Sequence, residues 1–90
     1  MITKDEMWCI AEEDGLLKAD GLDEAIIGIA EGIAIGHKSV FVYDIDKIIK
    51  ILMDRDGMTD EEAIEFYSFN ISGAYMGKRT PIFIEGISHE

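Results

Sequence analysis

The sequence predicts an α+β fold: an N-terminal helix, a β-hairpin, two consecutive helices packed on a small antiparallel-type sheet, and a short C-terminal strand. Three observations lead there. Thr3 with Glu6 and Thr59 with Glu62 have the spacing of capping boxes, in which a hydroxyl and a carboxylate each satisfy an unpaired amide at a helix start. Two β-rich runs, at 25–35 and 40–44, are separated by the turn-like stretch GHKS. Ile45, Ile48, Ile49 and Leu52 recur at the i, i+3, i+4, i+7 spacing of a helical stripe.

The first helix begins after Thr3, places Met7, Ile10 and Ala11 on one face with Trp8 beside them, and ends near Gly15. In the stretch 25–35 the odd positions hold Ile27, Ile29, Glu31, Ile33 and Ile35, and the even ones hold Ile26, Gly28, Ala30, Gly32 and Ala34. That is a period of two, with one large and one small face, and it predicts a strand. Helix is the competitor, because Gly28, Gly32 and Gly36 recur every fourth residue; each glycine would cost a helix interior about 1 kcal/mol, and isoleucine favours strand. Glu31 in the isoleucine row fits an edge position or a bulge. A hairpin loop near 36–39 then leads into VFVYD, the second strand.

Asp44 or Asp46 caps the next helix, which stops at Gly57. Its successor runs from Asp60 to about Met76, with Ile64, Tyr67, Ile71, Ala74 and Tyr75 on one stripe and Ala63, Phe66 and Asn70 alongside. Gly77 ends it, near Lys78 and Arg79. TPIFIE closes the chain as a short strand, with Pro81 at its beginning, where no ladder amide is needed.

The length of 90 residues fits one domain, 1–90. A 10.1 kDa chain can bury nearly two thirds of its surface, enough for a thin core. With 48% hydrophobic residues and one proline the composition is globular, and apolar surface left over would favour a homodimer. Eight Lys and Arg stand against 19 Asp and Glu, a net charge of −11. Such a field repels phosphate backbones and anionic lipid, so direct nucleic-acid or membrane binding is not expected, whereas a basic host protein would suit it as a partner. A solvated acidic surface that keeps the protein soluble is the simpler reading of the same charge. Cys9 stands alone, so no intrachain disulfide forms, and no basic stretch precedes a long apolar one at the N-terminus. A cytoplasmic location is the expectation.

Several motifs fail on inspection. DRDGMTDEEA suggests a calcium loop, but aligning Gly57 to the glycine position puts Leu52 at position 1 and Ala63 at position 12, so both anchor ligands are missing. The same residues serve as a joint, with Gly57 as C-cap and Thr59 opening the next helix. GIAIGHKS resembles a phosphate loop only loosely, since His37 separates Gly36 from Lys38. His37 and His89 have no companions for zinc, and no catalytic grouping can be assembled. No cofactor is implied. The speculative binding residues are Tyr43 and Asp44 at a strand-to-helix junction, Asn70 in an apolar helical face, where a buried amide would need partners, and Tyr75 on the same helix.

The stretches DGLDEAIIGIA and VYDIDKIIKILMDRDGMTDEEAIEFYSFNISGAYMGKRTPIF together resemble small uncharacterised proteins of tailed phages, archaeal viruses and related prokaryotic genomes. The resemblance covers roughly residues 20–84 and rests on the Tyr-Asp before a helix, the Asp-Gly-Met-Thr joint, and Asn70, Gly73, Ala74, Gly77, Thr80 and Pro81. It departs at Ala30-Glu31-Gly32, and it implies no activity, so no site residues carry over. The functional expectation is a non-enzymatic accessory protein, viral in setting and acting in the host cytoplasm, that works by protein–protein interaction or self-association. Two alternatives stand beside it: a small-ligand or divalent-metal domain using carboxylates near Asp44, Asp46, Asp54 and Asp56, and an acidic nucleic-acid mimic that inhibits a basic host protein.

Overall fold

A computed structural model describes residues 1–19, 21–32, 39–72 and 80–86. Helix α1 spans Lys4–Asp14 and strand β1 Ile26–Ala30, preceded by a single 3-10 turn at Asp23–Ala25. Strand β2 spans Val40–Asp44, helix α2 Ile45–Asp56 and helix α3 Asp60–Phe66. A π turn, Tyr67–Ile71, continues α3, and strand β3 is Ile82–Ile84. The fold is therefore α+β, with the helix, hairpin, helix pair and final strand in the order the sequence predicts. Residues 36–38 of the hairpin loop, Ile33 and Ile35, and the end of the third predicted helix with Tyr75 and Gly77 lie outside the described residues.

Local chemistry fixes the boundaries. In both capping boxes the threonine hydroxyl accepts from the glutamate amide, at 3.1 Å for Thr3 and 3.2 Å for Thr59, while the glutamate carboxylate accepts from the threonine amide. Gly15 and Gly57 end α1 and α2 with φ of 68° and 69°, the left-handed conformation that glycine adopts without a Cβ clash.

The sheet has the order β1-β2-β3. β1 and β2 pair antiparallel, but β3 lies parallel to β2, with Tyr43 opposite Phe83. The sheet is thus mixed rather than wholly antiparallel. A parallel neighbour needs a long crossover, and the chain between β2 and β3 supplies one through α2 and α3.

The two-faced reading of β1 is corrected by a bulge. Ile26 pairs with Tyr43 and Gly28 with Val42, so Ile27 is the extra residue in the ladder. Parity switches across it. Ile26 and Ile29 both pack against the core, while Ile27 is 46% exposed, so the large side chains do not share one face by simple alternation. Glu31 follows the strand in an exposed position, its carboxylate accepting from the Ser39 hydroxyl at 3.3 Å.

The core gathers Met7, Ala11, Leu22, Ala25, Phe41, Tyr43, Ile48, Leu52 and Ala63. A row of rings crosses it. Trp8 meets Phe41 at 5.7 Å between centroids, Phe41 meets Tyr43 at 6.4 Å, Tyr43 meets Phe83 at 5.5 Å, and Phe83 meets Tyr67 at 5.7 Å. These are the offset and edge-on separations that aromatic quadrupoles favour. The row joins α1, β2 and β3 to the segment after α3.

The third helix departs most from its predicted face. Ala63 is buried and Tyr67 and Ile71 half-buried, but Ile64 is 47% exposed and Asn70 is exposed. In an unbroken α-helix Asn70 would share the face of Ala63 and Tyr67. The π turn, seen in the Ser72 amide bonding the Tyr67 carbonyl at 2.8 Å, adds a residue to that turn and carries Asn70 outward.

Candidate functional site

The structure disperses the residues singled out at the strand-to-helix junction. Tyr43 is the largest fully buried side chain among the described residues. Its hydroxyl accepts a hydrogen bond from the Ala19 amide at 2.8 Å, fastening the segment after α1 to the middle strand. Asp44 is the N-cap of α2, its Oδ1 accepting from the Asp46 amide at 2.9 Å. Both side chains are absorbed by architecture. Asn70 donates from Nδ2 to the Phe66 carbonyl of its own helix at 3.2 Å, not to a neighbouring sheet. Tyr75 lies outside the described residues.

The four aspartates proposed as ligands are not convergent. Asp44 begins α2 and Asp54 lies ten residues on, about 15 Å along the axis at 1.5 Å per residue. Asp56 is held by Arg55, whose Nε and Nη2 donate to its two oxygens at 3.0 Å each. Those hydrogen bonds keep the Asp56 carboxyl below the ordinary carboxylate range and raise Arg55 further. Among the described residues no three His, Cys, Asp or Glu side chains are grouped so as to hold a metal ion. Cys9 is exposed on α1.

Two surface grooves have clear chemistry. The larger, about 710 Å³, lies between the 3-10 turn and α2. Lys47, Lys50 and Arg55 stand there against Asp23, Glu24 and Asp54, so its formal charges cancel. Two of its residues are tied down: Arg55 Nη1 donates to the Gly21 carbonyl at 2.7 Å, and Asp23 accepts at 3.3 Å from Lys18, which lies over the Trp8 ring. Gly21 has φ 80°, the left-handed conformation that glycine adopts without strain; a Cβ there would come within 2.8 Å of Arg55 Nη1, and the arginine would have to shift. This groove is a clasp between two segments.

The smaller groove, about 340 Å³, runs along α3 and the π turn. Met58, Phe66 and Phe69 give it apolar walls, and Glu62, Glu65 and Asn70 its polar edge. Phe69 is 82% exposed and Phe66 39%. The Glu62 carboxylate accepts from the Thr59 amide at 3.0 Å, which, with the Thr59 side chain, holds it below the usual glutamate range and keeps it anionic. The described residues lining the groove are apolar side chains, carboxylates and one amide, with no nucleophile–base pair among them. What it offers is a site for contact: rings that gain by leaving water, beside fixed negative charge.

Of the sequence-derived site residues that are described, then, Asn70 alone lines this groove. Helical periodicity sets Phe66 beside the core face and gives Phe69 no role. A signal is nonetheless present: Ala63, Ile64, Phe66, Tyr67, Phe69 and Ile71 make this helix apolar nearly all round, and a helix at the edge of so small a core cannot bury every face. No family model, curated protein or solved structure matches the chain. No helix among the described residues is long and apolar enough to cross a membrane.

Proposed function

We propose that this chain is a non-enzymatic accessory protein that works in the cytoplasm by binding another protein through the surface of α3 and the π turn. The observation that carries this reading is Phe69, 82% exposed, with Phe66 and Ile64 also exposed on the same segment. Scattered exposed leucines or isoleucines are ordinary, but a bare phenylalanine beside a second one in a groove is the kind of anchor that protein interfaces bury. Covering a phenylalanine side chain in full is worth about 1.5–3 kcal/mol, a gain that folding of this chain leaves unused. Glu65 and Glu62 at the edge disfavour a face-to-face pair of identical copies, because carboxylates would meet carboxylates.

The test is differential capture with purified wild-type protein and its Phe69→Ser variant from the cells that carry the gene. A specific protein retained by the wild type and lost by Phe69→Ser supports the reading. Recovery of the same proteins by both, or of none by either, refutes it. The circular dichroism spectra of the two proteins should coincide, since Phe69 lies outside the core.

A further inference from the structure

Four surfaces could carry more than architecture: the clasp groove beside Arg55, the edge of β1 with exposed Ile27, the exposed Cys9, and the groove along α3. The clasp is balanced in formal charge and Arg55 is spent on the Gly21 carbonyl, and the β1 edge and the thiol stand without any second feature that points to a ligand. The α3 groove differs, because apolar walls and carboxylates with no cationic partner among the described residues occur together there. Met58, Phe66 and Phe69 provide the contact area, while among the described residues no cationic side chain pairs with Glu62 or Glu65. Both described ion pairs lie elsewhere, at Lys18–Asp23 and Arg55–Asp56.

Resting on the protein-binding reading above, we propose that the occupant of this groove is a basic amphipathic segment of a partner protein, one that lays an apolar residue against Phe66 and Phe69 and sets Lys or Arg beside Glu62 and Glu65. Charge complementarity selects it. Asp60 and Glu61 add negative charge in the first turn of α3 without lining the groove, and the chain as a whole carries −11. A cationic partner is drawn in over a distance, then held by ring burial and by carboxylate contact at short range. The phenylalanine faces add to this, since a guanidinium or ammonium is attracted to the negative face of a ring. An acidic or neutral segment would gain only the apolar part and would approach against the field.

The mode of capture gives each residue a separate role. Phe69 supplies contact and little steering. Glu65 supplies steering and a charged contact but little apolar area. A remote acid such as Glu13, exposed on α1, changes the overall charge equally and touches nothing in the groove.

The probe is a fluorescent Leu/Lys peptide patterned as an amphipathic helix, with a Leu/Glu peptide of the same pattern as control, titrated into the full-length protein at low and moderate salt. Wild type should bind the Leu/Lys peptide and not the Leu/Glu one. Phe69→Ser and Glu65→Lys should each weaken binding by about tenfold or more, and Glu13→Lys by no more than about twofold. Equal weakening by Glu13→Lys and Glu65→Lys would overturn the proposal, showing general acidity without a site. So would absence of binding by the wild type, or unaltered binding by Phe69→Ser. Sedimentation of the protein alone covers the remaining occupant: a dimer abolished by Phe69→Ser would replace the basic partner with a second copy. The protein-binding reading stands or falls separately, since differential capture can succeed with a partner that is not basic.

Discussion

Tyr43→Phe removes one oxygen from the largest buried side chain and leaves every ring contact in place. The lost atom accepts the Ala19 amide at 2.8 Å, a bond that ties the segment between α1 and the 3-10 turn to the central strand. Deleting the acceptor strands the donor, and a donor left unsatisfied in a buried place costs about 1–3 kcal/mol. Ala19 is only half-buried, so water can restore part of the loss, which sets the expected cost near the lower end, about 1 kcal/mol. For a domain of this size that corresponds to a fall in melting temperature of roughly 4–8 °C. The aromatic row should survive, because the phenyl ring introduced by the substitution would still meet Phe41 and Phe83; removing the ring altogether with Tyr43→Ala should cost about 3–5 kcal/mol. Thermal and urea denaturation followed by circular dichroism measure the difference, and amide hydrogen exchange locates it. The Ala19 amide should lose protection more than the amides of β2 do. An unchanged melting temperature, or uniform loss of protection with no excess at Ala19, would show that the hydroxyl does not fasten this segment.

Gly57→Ala forces a Cβ into a left-handed C-cap and should lower stability by about 1 kcal/mol in urea denaturation, although no neighbouring atom blocks the added methyl. Asn70→Leu should change stability by less than about 0.5 kcal/mol, since the amide is exposed and bonds only its own helix; a larger loss would place this face in the core after all. Glu62 gives a pH signature. Its folded carboxyl lies below the ordinary glutamate value of about 4.3, so the capping-box contribution is fully present above that value and is lost as pH falls through the lower, folded one. The stability gap between wild type and Glu62→Gln should therefore be constant in neutral solution and close in acid, and a gap independent of pH would contradict the assignment.

Punctuation is the most legible part of this sequence. Both Thr-x-x-Glu boxes, the caps at Gly15 and Gly57 and the Asp44 cap use side chains and amides only a few residues apart, so spacing alone determines them. The stripe of α2 is equally plain, with Ile48 and Leu52 buried as its period demands. The bulge at Ile27 is hidden because it depends on which residues of β2 stand opposite, a long-range fact that alternation within β1 cannot report. The parallel pairing of β3 is hidden for the same reason. Counting 3.6 residues per turn through Tyr67–Ile71 misplaces Asn70, because the chain adopts a π turn there instead. That single change of period accounts for the candidate site: it turns an expected buried amide into the edge of a surface groove, while Tyr43 and Asp44, chosen for their chemistry, are consumed in holding the fold together.

The ring row that runs from Trp8 to Tyr67 by way of Phe41, Tyr43 and Phe83 also sets how the molecule must fold. Its members come from near both ends of the chain and from the middle, so the row cannot close around any local nucleus. Parallel pairing of β2 with β3 makes the same demand, since residues some forty positions apart must meet before either gains. Contacts of such long sequence separation slow the search, and the chain should refold in milliseconds or longer rather than in the microseconds open to small helical bundles. Trp8 is the protein's only tryptophan and sits at one end of the row, edge-on to Phe41. Its fluorescence therefore reports the docking of α1 on the sheet, and stopped-flow refolding watched through that one residue will tell whether the first helix arrives with the sheet or after it.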